Sequence, residues 1–414
     1  MSCAYKLAEK DMQVIVVDRG DFPGSKNVTG GRLYLEPVKS IAGDMLDDAP
    51  FERKVVRERW SLLGNDNSIN IDFTGGRLRK ANHSYTVLRA RFDRWLSEKL
   101  MEKGVYVIPK YRVDDLLWEG DTVVGIKAGE EEIYANVVVA SDGVLSSMAE
   151  KAGLKQKMKP KNFAVGIKEV IELSEEKIND RFNVEKNEGC SHLFIGDVTK
   201  GMFGGGFLYT NKETVSLGIV VGIKALMEKT PTIEAHTLIN EFKDRYEIDR
   251  MIEGGSLAEY SAHIIPESGY GGISKLCGNG IMVTGDAAGF ALNMGVTVRG
   301  MEFAIASGII AAETAIKAKE TDDYSAKTLS FYENKLRETF VLKDLHACKD
   351  IPEFLDNDSF FSFYPQSFPD LVERIIWFGE EPKEKLGISL WNQMKASGFF
   401  SLKRLKELYS IKKI

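Results

Sequence analysis

The sequence predicts an α/β protein in which a Rossmann-like domain is assembled from separated segments, with a second β-sheet domain and a helical C-terminal region. Three segments carry that expectation. Each is a strand whose carboxyl end holds an acid or a glycine, the place where open α/β sheets bind their ligands. The first is residues 13–18 (QVIVVD), closed by Asp18. The second is residues 136–141 (NVVVAS), running into Asp142-Gly143. The third is residues 281–284, running into Gly285-Asp286-Ala287-Ala288-Gly289. Chance accounts for one such element more easily than for three in this order.

Taken in order, residues 1–10 read as a helix with small residues on one side. It precedes the 13–18 strand as in the second half of a βαβ unit. In that setting Asp18 meets a ribose, although a turn cap would use the same residue. Residues 23–34 (PGSKNVTGGRLY) form a Gly- and Asn-rich loop leading into a helix. Residues 55–87 read as short strands with turns at Gly64 and Gly75-Gly76. Residues 89–104 form an amphipathic helix with Phe92, Trp95, Leu96, Leu100 and Met101 on one face and Gly104 ending it. Strands at 105–109, 112–118, 122–128 and 132–139 follow, then a helix from about Ser146. Residues 160–270 alternate β patterns with helices at 174–182 and 232–245. A helix of small residues at 300–317, its N-terminus near Val298, follows the 285–289 turn, and the rest of the chain is helical and aromatic-rich.

A chain of 414 residues is expected to form about two or three domains. Its net charge of −6 argues against nucleic acid as the main partner. From residue 383 onward eight Lys and Arg face only Glu384 and Glu407, so this tail carries +6 and the remainder −12. Cys3, Cys190, Cys277 and Cys348 show no C-x-x-C, so neither an iron–sulfur cluster nor a zinc ribbon is legible, and isolated thiols fit a reducing cytoplasm. No apolar run reaches the ~18 residues of a membrane span. His83, His192, His236, His263 and His346 lack metal-ligand spacing, and no Ser–His–Asp order occurs. His263 stands out because it directly precedes IIPESGYGG.

Strand–GDAAG–loop–helix is the form in which many flavoproteins grip the ribityl-pyrophosphate of FAD. Small residues let the backbone approach a planar ligand, an Asp accepts from sugar hydroxyls, and a helix N-terminus faces an anion. With this motif the chain resembles the electron-transfer-flavoprotein:quinone oxidoreductases, and among them the FixC-type subunits, within the wider geranylgeranyl-reductase-like flavoproteins. The resemblance rests on PGSKNVTGG (23–31), VLRARFDRWL (87–96), ASDGVLS (140–146), GMFGGGFLYT (201–210), VSLGIVVG (215–222), IIPESGYGGISKL (264–276) and residues 285–313.

The resemblance implies an FAD-binding Rossmann-like domain of the glutathione-reductase type over 1–45, 86–158 and 275–320. It implies a quinone-binding β-sheet domain over 46–85 and 159–274, and a helical region over 321–414. Asp18, with Arg19 beside it, would hold the adenosine ribose, Arg89 the pyrophosphate side, and the backbone of Val113 the adenine. Asp142 and Gly143 would line the nucleotide, and Gly285 and Asp286 the ribityl or pyrophosphate. Ala288, Gly289, Asn293, Gly295 and Val296 would pass under the isoalloxazine, with Gly30 and Gly31 at its other edge. Arg299 would tune the flavin. Gly204, Gly205, Phe207, Tyr209 and the turn Gly269, Tyr270, Gly271, Gly272 would wall a quinone pocket. No metal is implied.

The same resemblance implies electron transfer flavoprotein α/β (FixA/FixB-like) partners, a small ferredoxin-like (FixX-like) subunit and membership of a bifurcating complex. The four-cysteine tail of the single-chain relatives is absent, which is why a separate ferredoxin-like subunit is implied. So is the first strand with its G-x-G-x-x-G. The expectation is that Met1 is not the biological start and that roughly 15 residues precede it. Two other readings share the motifs: a prenyl (geranylgeranyl-type) reductase, and a non-catalytic subunit that has lost FAD. Finally, Phe399, Leu402, Leu405, Leu408 and Tyr409 form an apolar stripe beside Lys403, Arg404, Lys406, Lys412 and Lys413. That pattern predicts peripheral contact with the inner face of the cell membrane, to which the aromatics of 354–378 would add.

Overall fold

The computed structural model describes residues 1–26, 31–155, 157, 159–380 and 382–410. Two short parallel ladders form the first layer. Ile15–Val17 pairs with Tyr106–Ile108, and Val138–Ala140 pairs with Ile281–Val283, flanked by Cys277–Gly278. Behind them lies the helix Met301–Thr321. Its apolar residues run around the whole cylinder, which suits a helix buried on most sides. The helix Ser2–Ala8 packs so closely on it that a side chain at Gly308 would strike Ser2 and Cys3.

The second layer is one large sheet. In order across it run Ser256–Pro266, Phe163–Glu172, Thr214–Gly222, Gly204–Thr210, Glu188–Gly196, Lys54–Leu63, Ser84–Thr86 and Arg32–Tyr34, with Ser68–Thr74 pairing on Lys54–Leu63. Every pairing is antiparallel except Glu188–Gly196 with Lys54–Leu63. Helices Glu175–Phe182 and Ala235–Asp244 cover one face, burying Ile178, Phe182, Leu238 and Phe242 against Phe194, Leu217 and Ile219. The larger core draws on residues 3–46, 87–154 and 276–345, including helices Phe331–Glu338 and Phe340–Ala347.

Several elements differ from the sequence expectation. The 132–139 strand is broken into Glu131–Tyr134 and Val138–Ala140, one in a small meander and one in the parallel ladder. Helices Gly76–Lys80, Ile223–Glu228 and Tyr246–Ile252 are additional. In the helix Arg89–Glu102 the buried face is Phe92, Asp93, Leu96, Ser97 and Leu100, and Met101 is exposed. Asp93 takes the inward position because Arg89 neutralises it at 2.9 Å. The long helix begins at Met301, not near Val298. Val298–Arg299 instead pairs back onto Leu292–Asn293, since β-branched Thr297 and Val298 between Gly295 and Gly300 favour a hairpin over a first helical turn.

Candidate functional site

The carboxyl ends of both parallel ladders and the uncovered face of the large sheet enclose a cavity of about 850 Å³. That volume lies at the upper end of the ~300–1,000 Å³ typical of small-molecule and cofactor sites.

One end of the cavity is polar. Asp18 caps its turn by accepting the Gly20 N–H at 2.6 Å. Ser141 and Thr284, which end the second ladder, share a hydrogen bond of 2.6 Å. Gly285 and Gly289 adopt φ of +59° and +86°, conformations that only glycine takes without strain, so the chain turns sharply around Asp286. Burial pushes the Asp286 carboxyl up, while Arg89, His263 and Lys155 draw it back down. Lys155 reaches the same turn, its ammonium donating to the Ala287 carbonyl at 3.2 Å. Arg89 lines this end beside Asp93.

The middle of the cavity is bounded by Gly31, Asn293, Gly295 and Val296. A side chain at Gly31 would run into the Tyr209 ring. The Trp60 indole fixes the rim by donating to the Val296 carbonyl at 2.9 Å. Arg299 also lines the cavity, ion-paired with Glu302 at 2.7 Å and Asp344 at 2.6 Å. Its remaining Nη2 has no partner among the described residues. The opposite end is apolar. Gly204, Gly205 and Phe207 form its floor, with Tyr209 stacked on Phe207 at 5.3 Å. Phe354, Phe360, Phe361, Tyr364 and Phe368 close it.

The structure therefore brings Asp18, Gly31, Arg89, Gly143, Gly285, Asp286, Asn293, Gly295, Val296, Arg299, Gly204, Gly205, Phe207 and Tyr209 to one cavity. Others stand back from its lining. Arg19 is exposed, and Val113 packs on the larger core. Asp142 caps the helix Ser147–Lys151, accepting from the Met148 N–H at 3.0 Å. Ala288 is fully buried, and Gly289 packs against the Gly272 carbonyl. Gly269, Tyr270, Gly271 and Gly272 form the turn behind it, with Tyr270 edge-on to His346 at 5.1 Å. Gly30 lies outside the described residues.

The aromatic segment differs from its expected place at the surface. Phe354, Phe360, Phe361 and Tyr364 turn inward to the cavity, Phe368 lines it from an exposed position, and Trp377 and Phe378 stand out at the surface. Arg404 also leaves the solvated basic face. It pairs with Glu407 at 2.8 Å and stacks 3.8 Å over Phe363, while Phe399 packs on Phe363 and Phe368. Glu407, held low at about 2, accepts from Ser359 at 2.7 Å and Tyr364 at 2.8 Å. An acid flanked by Lys403, Arg404 and Lys406 is the available sequence signal for this tether. Sequence reasoning also passed over Lys155, the buried Arg32–Glu58 pair at 2.5 Å and Glu267. Only Glu267 had a signal, its place inside IIPESGYGG.

Residues 163–265 match the family model described as "ETF-QO, ubiquinone-binding". The chain is 40% identical to the probable electron transfer flavoprotein-quinone oxidoreductase YdiS of Escherichia coli K12, and 38% identical to FixC of the same strain. Each match covers 96% of this chain and 93% of the relative. Among solved structures, a geranylgeranyl bacteriochlorophyll reductase-like protein from Thermoplasma acidophilum shares the fold at a TM-score of 0.69 and 18% identity, covering 98% of this chain and 96% of that one. At these identities over nearly its whole length, the chain belongs to the family of FixC and the electron transfer flavoprotein–quinone oxidoreductases.

Proposed function

We propose that the chain is an FAD-dependent oxidoreductase that takes electrons from an electron transfer flavoprotein and passes them to a quinone. One observation carries this reading. A single cavity joins a polar end holding Asp18, Arg89 and Asp286 to an apolar end of bare glycine backbone and aromatic rings. Those residues fit FAD: two carboxylates for sugar and ribityl hydroxyls, and guanidinium groups for anionic oxygens. FAD, when bound, supplies the centre that stores electrons between donor and acceptor.

The chain's own residues bind, orient and exclude water. Gly31, Asn293, Gly295 and Val296 would flank the ring system. Gly204, Gly205, Phe207 and Tyr209 offer a planar apolar wall suited to a quinone head group, and Phe354, Phe360, Phe361 and Tyr364 would shield it from solvent. In this reading residues 1–45, 86–158 and 275–320 serve the cofactor, and 46–85 and 159–274 the quinone. A ferredoxin-like subunit and a place in a bifurcating assembly accord with the FixC relationship. Membrane contact accords with the exposed Trp377, Phe378, Leu402, Leu405 and Tyr409 beside exposed Lys403 and Lys406. Among the described residues no helix is long and apolar enough to cross a membrane. The test is anaerobic turnover with a reduced electron transfer flavoprotein and a short-chain ubiquinone. Quinol formation dependent on both supports the reading. Reduction of an isoprenoid double bond without quinone reduction would overturn it.

A further inference from the structure

One ionisable group in the cavity wall has no place in the scheme above. Glu267 follows the strand Ser256–Pro266 and faces the cavity next to Asn293, whose amide donates to its carboxylate at 3.1 Å. Asn293 is fixed in turn, because its own side-chain oxygen accepts the Gly295 N–H at 2.9 Å. We propose that Glu267 is the acid that donates a proton to the electron acceptor in this cavity, with Asn293 as its positioning residue.

The proposal rests on the quinone reading and deepens it. Reducing a quinone to a quinol consumes two electrons and two protons. The electrons originate in the reduced electron transfer flavoprotein. At one quinone oxygen the new O–H bond forms as the Glu267 carboxyl O–H breaks. The other oxygen takes its proton from water at the cavity mouth, and the Glu267 carboxylate regains its proton from water. Glu267 sits with Asn293 in the middle of the cavity, and the aromatics that close the neighbouring apolar end limit the access of bulk water, so a donor inside the cavity is needed.

The surroundings leave Glu267 free for the task. Burial raises it to about 7, the Asn293 bond being the opposing influence. A donor of that strength is half-protonated near neutrality, which is where general acid catalysis is most effective. The charged groups on neighbouring walls are engaged elsewhere. Asp286 faces Arg89, His263 and Lys155; Lys168 pairs with Glu259 at 3.4 Å; Arg299 pairs with Glu302 and Asp344; and Glu407 pairs with Arg404.

The test compares wild type, Glu267→Gln and Glu267→Asp, each loaded with FAD and checked for the wild-type unfolding midpoint. Infrared difference spectra of the resting proteins, taken across about pH 6 to 8, should show a carboxyl titrating in wild type and absent from Glu267→Gln. In rapid mixing, Glu267→Gln should leave reduction by the partner flavoprotein unchanged and slow quinone reduction ~100-fold. Glu267→Asp should restore part of the rate with a displaced pH profile. No carboxyl titration lost in Glu267→Gln, or a Glu267→Gln rate and pH profile equal to wild type, overturns the proposal alone. If Glu267→Gln fails to fold, a wild-type pH profile in Glu267→Asp overturns it equally. A wild type that reduces no quinone overturns the functional reading and this proposal with it.

Discussion

Replacing Asp286 with Ala should weaken FAD binding sharply while leaving the flavin-free fold intact. In the flavin-free chain the carboxyl is a liability to the fold, because burial disfavours its charge more than its neighbours favour it. Removing it therefore should not lower the unfolding midpoint of that form. With flavin present, a hydroxyl that donates to this carboxylate contributes about 1.5–3 kcal/mol, so the dissociation constant should rise roughly 10- to 150-fold. The sign separates two placements. A carboxylate facing ribityl hydroxyls loses affinity on truncation, whereas one facing the pyrophosphate would gain affinity through removed repulsion. Asp286→Asn, which keeps one acceptor, should fall between wild type and Asp286→Ala. The assay is titration of deflavinated protein with FAD, followed by quenching of flavin fluorescence. Equal or tighter binding by Asp286→Ala would refute the assignment.

Three further outcomes are expected. His192 bonds to Ser61 at 2.6 Å and is held neutral to about 3 by burial, so the unfolded chain takes a proton below about 6.5 that the folded chain refuses. Stability should fall with pH through that window, by about 2 kcal/mol at pH 5 from this residue. Urea unfolding at pH 5 and pH 7.5 should show a smaller drop for His192→Gln, and an equal drop contradicts the claim. Gly31→Val should displace the Tyr209 ring and lower flavin loading while the circular dichroism stays that of wild type; full loading would place the ring system elsewhere. Substituting Trp377, Phe378, Leu402 and Leu405 together by Ser should abolish flotation with anionic vesicles, and unchanged flotation rejects this face as the anchor. These positions serve better than truncating the tail, because Phe399 and Glu407 also hold the cavity's aromatic wall.

How much was legible from the sequence depended on how local the cause was. GDAAG, Asp18, the Arg89 helix and GMFGGGFLYT announce themselves because glycine, strand ends and helical periodicity leave signatures within a few residues. The hairpin that delays the 301–321 helix is not legible locally, since apolar Val298 reads equally as helix or hairpin until its partner Asn293 is known. The C-terminal aromatics were read as surface because an amphipathic pattern shows that a face is apolar and not what covers it. The tether from Glu407 to Ser359 and Tyr364, which folds this stretch back onto the cavity, joins segments too far apart in sequence to be read. Lys155 and the Arg32–Glu58 pair left no trace, because ion pairs and carbonyl contacts between distant segments have no sequence period. Glu267 stood in a recognised segment, yet its significance comes from isolation inside the cavity.

The most direct test of the central claim is a structure of the FAD-loaded protein with a short-chain ubiquinone bound. The account predicts one continuous ligand-filled cavity. Flavin density should run from Asp18 past Asp286 to Gly31, with the quinone ring against Gly204, Gly205 and Phe207 and a quinone oxygen within hydrogen-bonding reach of Glu267. Quinone density outside this cavity, or flavin density away from Asp286, would contradict it.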